Sequence, residues 1–60
     1  MRIWNGLRLN NIVIYNNKKY IIKKLYADEN KRVCDLATLD EPDKITLQAI
    51  SVYECIKCEE

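Results

Sequence analysis

Apolar residues at every second position are the feature that most constrains this chain. Successive side chains of a β-strand point to opposite faces, so this spacing predicts strands with one buried face. The apolar set is rich in Ile, Val and Tyr and lacks Phe, and β-branched residues favour a pleated surface. With 60 residues, we expect one domain over 1–60, in which 1–6 form an N-terminal arm.

Polar clusters divide the chain into five predicted strands, over residues 7–15, 18–27, 32–39, 44–51 and 54–58, and the first is expected to bend or break near Asn10-Asn11. Asn16-Asn17 suits a two-residue hairpin turn, because Asn tolerates positive φ. Leu25 falls one place out of step with Ile22, which predicts a β-bulge at Lys23-Lys24. The predicted inward residues are Leu9, Val13, Tyr20, Ile22, Leu25, Cys34, Leu36, Ile45, Leu47 and Ala49.

The segment from Ile45 onward has a second interpretation, as a helix. Leu47 and Ile50 have helical spacing, but the β-branched residues around them are poor helix formers, and we favour strands. A short sheet of this kind leaves two edges, which closure into a barrel removes. The fold class is therefore predicted to be all-β, with five strands in a small barrel.

Residues 11–25 resemble the opening of bacterial and phage SH3-like domains. In that pattern Val13 and an aromatic residue, Tyr15, precede a tight turn, and Tyr20, Ile22 and Leu25 follow it. Ile45-Thr46-Leu47 and Val52 resemble the closing strand and 3₁₀ turn of the same domains. The resemblance implies a small five-stranded SH3-like barrel, a fold that serves many functions.

Residues 47–52 also resemble the second motif of Sm-like RNA-binding proteins, which closes a related barrel. Gln48 stands where that family has an RNA-contacting His, and Leu47 stands where it has a Lys. This resemblance implies RNA binding, with departures at these two positions.

Charge is distributed unevenly along the chain. Up to residue 27 there are six basic residues and no acid, whereas from Asp28 onward nine acids face four bases. This pattern indicates a polarised surface, unless neighbouring strands neutralise one another. No apolar run reaches the roughly 20 residues of a membrane span, and no signal-peptide segment opens the chain. We expect a cytoplasmic protein, and the abundance of Asn, Lys and Ile suggests a phage or mobile element of a low-GC bacterium.

Catalytic and metal chemistry have little support in the residues. The chain has no His, so no Ser or Cys has an evident base, and the acidic turn of Asp40, Glu41 and Asp43 is interpreted as a solvated loop. Cys55-x-x-Cys58 has half-site spacing for zinc, but residues three apart on a strand face opposite ways. We therefore predict no enzyme activity, no cofactor and no metal site within one chain, and leave open a metal held between two chains.

A basic and apolar surface on the first hairpin is the candidate binding site. It is predicted to comprise Arg8, Ile12, Ile14, Lys19, Ile21, Lys23, Lys24 and Tyr26. Three interpretations remain open: a protein-binding face, a nucleic-acid face in which aromatic residues stack on bases, or a structural face covered by Trp4 and the N-terminal arm. The leading hypothesis is a small non-catalytic binding module with a protein partner, and nucleic-acid binding by residues 18–24 is the alternative. The sequence does not determine the oligomeric state.

Overall fold

A computed structural model describes residues 4–58 as one sheet of five antiparallel strands. The strands are β1 (Ile12–Tyr15), β2 (Lys18–Asp28), β3 (Lys31–Thr38), β4 (Ile45–Ser51) and β5 (Ile56–Lys57). A single 3₁₀ turn, η1 (Val52–Glu54), separates β4 from β5 within the described residues. The sheet order is β4-β3-β2-β1-β5. The predicted all-β class is confirmed, and closure of this sheet into a barrel stays a prediction.

Two tight turns fold the long central strand β2 against both of its neighbours. Asn16 and Asn17 have φ of 52° and 67°, and Tyr15 pairs with Lys18 across them. This pair of positive φ values is the one that a type I′ hairpin turn requires. Glu29 and Asn30 repeat the geometry, with φ of 50° and 69°. The predicted turn at 16–17 is therefore confirmed, and the break predicted between residues 27 and 32 is a turn at Glu29 and Asn30.

The predicted bulge in β2 is present at Lys23. The register against β3 shifts between Ile22, which pairs with Leu36, and Lys24, which pairs with Asp35. One extra residue in β2 restores the inward parity. As a result Ile22 is fully buried, and Leu25 packs against the same core.

The core lies on one face of the sheet and under the 3₁₀ turn. Its buried members are Leu7, Val13, Tyr20, Ile22, Cys34, Leu36, Val52 and Cys55. Leu25 and Leu47 are partly buried against it, so most of the predicted inward residues are confirmed. Ile45 is half-buried outside this cluster and Ala49 is exposed, so the inward position predicted for these two residues is wrong. Shifts of register between β3 and β4 cause that difference, since they break the alternation of β4.

The first strand begins later than predicted, at Ile12 instead of residue 7. Asn10 has φ of 70°, which turns the chain and breaks the alternation before it. Leu9 is consequently 55% exposed, whereas Leu7 is only 3% exposed. The inward prediction for Leu9 is thus wrong, because a local turn reset the parity.

No helix within residues 4–58 has the length and apolar character needed to cross a bilayer.

Candidate functional site

An open groove of about 780 Å³ lies where the bulge of β2 meets the N-terminal segment. Apolar and aromatic side chains form part of its lining, and charged or amide side chains form the rest. The lining residues are Trp4, Leu9, Lys23, Lys24, Leu25, Tyr26, Asp35 and Gln48. A concave site with apolar walls and a few polar groups is the usual form of a ligand-binding site.

Trp4 is held in the groove wall by a turn and by its neighbours. Asn5 and Gly6 have φ of 54° and 73°, and the amide of Leu7 donates to the carbonyl of Trp4 at 2.9 Å. The Asn5 side chain donates to the Val52 carbonyl at 2.9 Å, which ties this turn to η1. The Arg32 guanidinium lies 5.3 Å from the Trp4 ring centroid, within cation–π range. Trp4 is therefore held by a local turn that is bound to η1 and by its contact with Arg32 of β3.

Leu9 and the two lysines meet because the N-terminal segment continues alongside β2. The amide of Asn10 donates to the Ile22 carbonyl at 2.8 Å, and the amide of Ile22 donates to the Asn11 carbonyl at 2.9 Å. These bonds place Leu9 beside the bulge that carries Lys23 and Lys24. The groove consequently has an exposed leucine next to two cationic side chains.

Asp35 is the one buried charged residue of the described chain, at 5% exposure. Its Oδ1 accepts a hydrogen bond from the Tyr26 hydroxyl at 2.8 Å and another from the Ala49 amide at 3.1 Å. Burying a carboxylate is costly unless hydrogen bonds compensate it, and these two bonds supply part of that compensation. The bond to Asp35 in turn raises the pKa of Tyr26, with a smaller contribution from desolvation.

Ala49 provides its amide to Asp35 through an unusual backbone conformation. It has φ of 56°, the left-handed region that residues with a Cβ seldom adopt. The register between β3 and β4 shifts here, so that Cys34 pairs with Ile50 while Leu36 pairs with Leu47. Asp35 thus faces an irregular part of β4, where Ala49 turns its N–H toward the carboxylate.

The predicted binding residues fall into two groups. Lys23, Lys24 and Tyr26 line the groove. Ile12 pairs with Ile21, and Ile14 pairs with Lys19, so these four lie in the β1–β2 sheet outside the groove lining. Arg8 is exposed in the preceding turn, and its amide donates to the Asn11 side chain at 3.0 Å.

The isoleucines among the predicted binding residues, Ile12, Ile14 and Ile21, belong to a row of apolar residues on the face opposite the core. Cross-strand partners share a face of the sheet, and Ile21 pairs with Ala37, which pairs with Ile45. The isoleucine row consists of Ile12, Ile14, Ile21, Ile45 and Ile56. Trp4 packs against the core cluster and not against the isoleucine row that it was expected to cover. The rest of that expectation, cover of the row by residues 1–3 of the predicted arm, lies outside the described residues.

The three cysteines are free, and two of them touch. Cys34 Sγ and Cys55 Sγ are 3.9 Å apart in the core, and Cys58 is half-buried. The contact with Cys55, together with burial, raises the pKa of the Cys34 thiol. Among the described residues, no group of three or more His, Cys, Asp or Glu side chains is placed to hold a metal ion.

The predicted binding residues omit five of the groove residues, although the Sm-like resemblance had singled out Gln48. These five are Trp4, Leu9, Leu25, Asp35 and Gln48. A signal for Asp35 did exist, because it is an acid in the middle of the apolar run from Val33 to Ala37. β3 is buried at all five of these positions, so an acid there has to be satisfied by specific partners. Trp4 had no such signal, since its position depends on the turn at Asn5 and Gly6. For Leu9 the break expected near Asn10-Asn11 was a signal, but the alternation assigned Leu9 inward in spite of it.

Comparison with known proteins gives no relative: no family model matches the chain, and neither the curated proteins nor the solved structures contain a significant match.

Proposed function

We propose that this protein is a small non-catalytic binding module whose groove takes an extended segment of a protein partner. The single observation that carries the proposal is the groove itself, where Trp4, Leu9 and Leu25 adjoin Lys23 and Lys24. Aromatic and aliphatic side chains favour an apolar side chain of the partner. The two lysines favour carboxylates beside it, because opposite charges at an interface stabilise the correct orientation.

Two features favour a peptide over a nucleic acid. Leu9 and Leu25 provide aliphatic surface. The bases of a single strand stack on aromatic rings, so aliphatic side chains contribute less to nucleic-acid binding than aromatic ones. Asp35 places a carboxylate among the lining residues; a nucleic acid brings a phosphate with every nucleotide, whereas a peptide needs acidic residues only beside Lys23 and Lys24. The expected ligand is therefore a peptide with an apolar residue flanked by acidic residues.

Nucleic-acid binding remains the second candidate because of Gln48. This residue, which occupies the position of the RNA-contacting His in the Sm-like resemblance, lines the same groove as Trp4, Tyr26 and the two lysines. Rings for stacking and cations for phosphates are the elements of a single-strand site. Binding of this kind weakens steeply as salt rises, whereas apolar contacts do not.

The resemblance to SH3-like domains supports a binding function of this type. What supports it is the 3₁₀ turn that begins at Val52, at the position where the resemblance implies one. An accessory role in a phage or mobile element is part of the same proposal, and only the composition supports it.

A display selection with a random peptide library tests the proposed function. The matched variants are Leu9→Asp, in the groove, and Ile56→Asp, which alters a 66% exposed residue outside it. Both replacements are at exposed positions, so we expect both proteins to fold. Burying a whole leucine contributes about 1.5–3 kcal/mol, and Leu9 has only about half of its surface left to bury, so Leu9→Asp should weaken peptide binding at least about threefold.

A charge reversal gives the second matched pair. Lys23→Glu/Lys24→Glu should abolish binding of the selected acidic peptide, whereas Lys18→Glu/Lys19→Glu, on the same strand outside the groove, should leave most of it. Equal losses in both pairs of variants, or binding that depends on Ile56, contradict the groove proposal. Salt-sensitive capture of fluorescent dT and U 12-mers, with no selected peptide, favours the nucleic-acid candidate instead.

A further inference from the structure

Asp35 has one carboxylate oxygen in use and one without a partner. Both of its hydrogen bonds, from Tyr26 and from the Ala49 amide, end on Oδ1. Oδ2 accepts no hydrogen bond from any of residues 4–58. Arg32 Nε is the sole fully buried side-chain polar atom without a partner in that part of the chain, so Oδ2 keeps contact with solvent. The residue as a whole is 95% buried and lines the groove.

The neighbouring lysine does not neutralise this oxygen. Lys24 is the cross-strand partner of Asp35, yet the two form no ion pair in the described structure. Oδ2 has no partner among residues 4–58 and keeps contact with solvent, so it is open to a hydrogen-bond donor that enters from the groove. A further hydrogen bond would stabilise the charge of a carboxylate that is otherwise buried.

We propose that Asp35 Oδ2 accepts a main-chain N–H from the bound peptide, so that Asp35 is a specificity-determining residue of the groove; this inference rests on the proposed function. An amide N–H suits the site better than a cationic side chain, because Lys23 and Lys24 beside it repel a second positive charge. The bonds from Tyr26 and Ala49 hold the carboxylate in place, which makes them positioning contacts for this recognition. The segment is then fixed by an apolar contact with Leu9 and by a hydrogen bond to Asp35.

The test uses the tightest peptide from the display selection and replaces each of its amides in turn by an ester. An ester removes the N–H donor without adding bulk. At one position the ester should weaken binding to the wild-type protein about tenfold or more, the effect expected for a hydrogen bond to a charged group. Asp35→Asn, which keeps an acceptor oxygen for Tyr26 and Ala49, should bind the all-amide peptide at least about tenfold more weakly. On that variant the same ester should cause no further loss.

Matched variants separate Asp35 from the other side-chain acceptors in the groove. Gln48→Ala removes an amide oxygen, and the ester effect should persist in that variant. Tyr26→Phe removes one of the two bonds that hold the Asp35 carboxylate, so the ester effect should shrink there without vanishing. These two variants also assign the acceptor if Asp35→Asn does not fold, which circular dichroism and a thermal melt establish.

Each remaining outcome overturns a stated part of the reasoning. Three outcomes contradict the role of Asp35 while leaving the groove function intact. The folded Asp35→Asn variant could bind the peptide with wild-type affinity, or the loss caused by the ester could add to the loss caused by Asp35→Asn. The third outcome is an ester effect that vanishes in Gln48→Ala. A library that yields no peptide sensitive to Leu9→Asp contradicts both the role of Asp35 and the groove function. Capture of a dT or U 12-mer that depends on Asp35 also contradicts the inference, because the donor then belongs to a base.

Discussion

Replacing Ala49 by Gly should stabilise the protein, although Gly usually weakens a strand. Ala49 is exposed and has φ of 56°, and the left-handed conformation costs a residue with a Cβ about 1–2 kcal/mol. Glycine removes that cost but adds about 0.4–1 kcal/mol of unfolded-state entropy. The exposed methyl group provides little packing to lose. The net expectation is a gain of about 0.5–1 kcal/mol in the free energy of unfolding.

The matched control is Ala27→Gly in β2. Ala27 is also an exposed strand alanine, and it is not among the residues with positive φ, so glycine there should cost about 0.5–1 kcal/mol. Ala49→Val should destabilise, because a β-branched residue in this conformation is an outlier.

Urea unfolding with a common slope measures the three differences. The left-handed conformation of Ala49 is contradicted if Ala49→Gly is as destabilising as Ala27→Gly, or if Ala49→Val is as stable as the parent.

Two further predictions concern the core and the buried carboxylate. Ile22→Ala should lower the free energy of unfolding by about 2–5 kcal/mol, because Ile22 is 0% exposed. Leu47→Ala should lower it less, because Leu47 is only half-buried. Equal urea midpoints for the two variants would contradict this ranking. The hydrogen bond to Asp35 raises the pKa of Tyr26 above its usual 10.0. The contribution of this bond to the free energy of unfolding is therefore complete below pH 10 and is lost as the pH rises through the raised pKa. Difference spectra at alkaline pH should show that Tyr26→Phe removes the late-titrating tyrosine and that Asp35→Asn makes it titrate earlier.

The regular part of the fold was predictable because local patterns and tertiary structure agree there. Asn16-Asn17 forms a tight turn from its own residue preferences, and the misplaced Leu25 correctly indicated the bulge at Lys23. In both cases a one-residue error would have turned apolar side chains out of the core, so the spacing carried the information.

The groove was only partly predictable because its residues depend on breaks in that pattern. Leu9 shares the parity of Val13, but the turn at Asn10 moves it to the surface. Asp35 and Ala49 meet through a register shift that alternation cannot reveal. Lys23, Lys24 and Tyr26 were found because charge and aromatic character identify side chains that reach the surface even where the register is unknown.

The position of β5 in the sheet has a consequence for the order in which the chain assembles. β1 to β4 pair with their neighbours in sequence, whereas β5 pairs with β1, where Val13 faces Lys57. Such a distant contact carries a loop-closure entropy that the hairpins avoid. The two residues of β5 contribute few backbone bonds, so the segment depends on Val52 and Cys55, which are 0% and 2% exposed in the core. We therefore expect β1 to β4 to form first and the C-terminal segment to dock last. The same segment should detach before the rest of the chain unfolds.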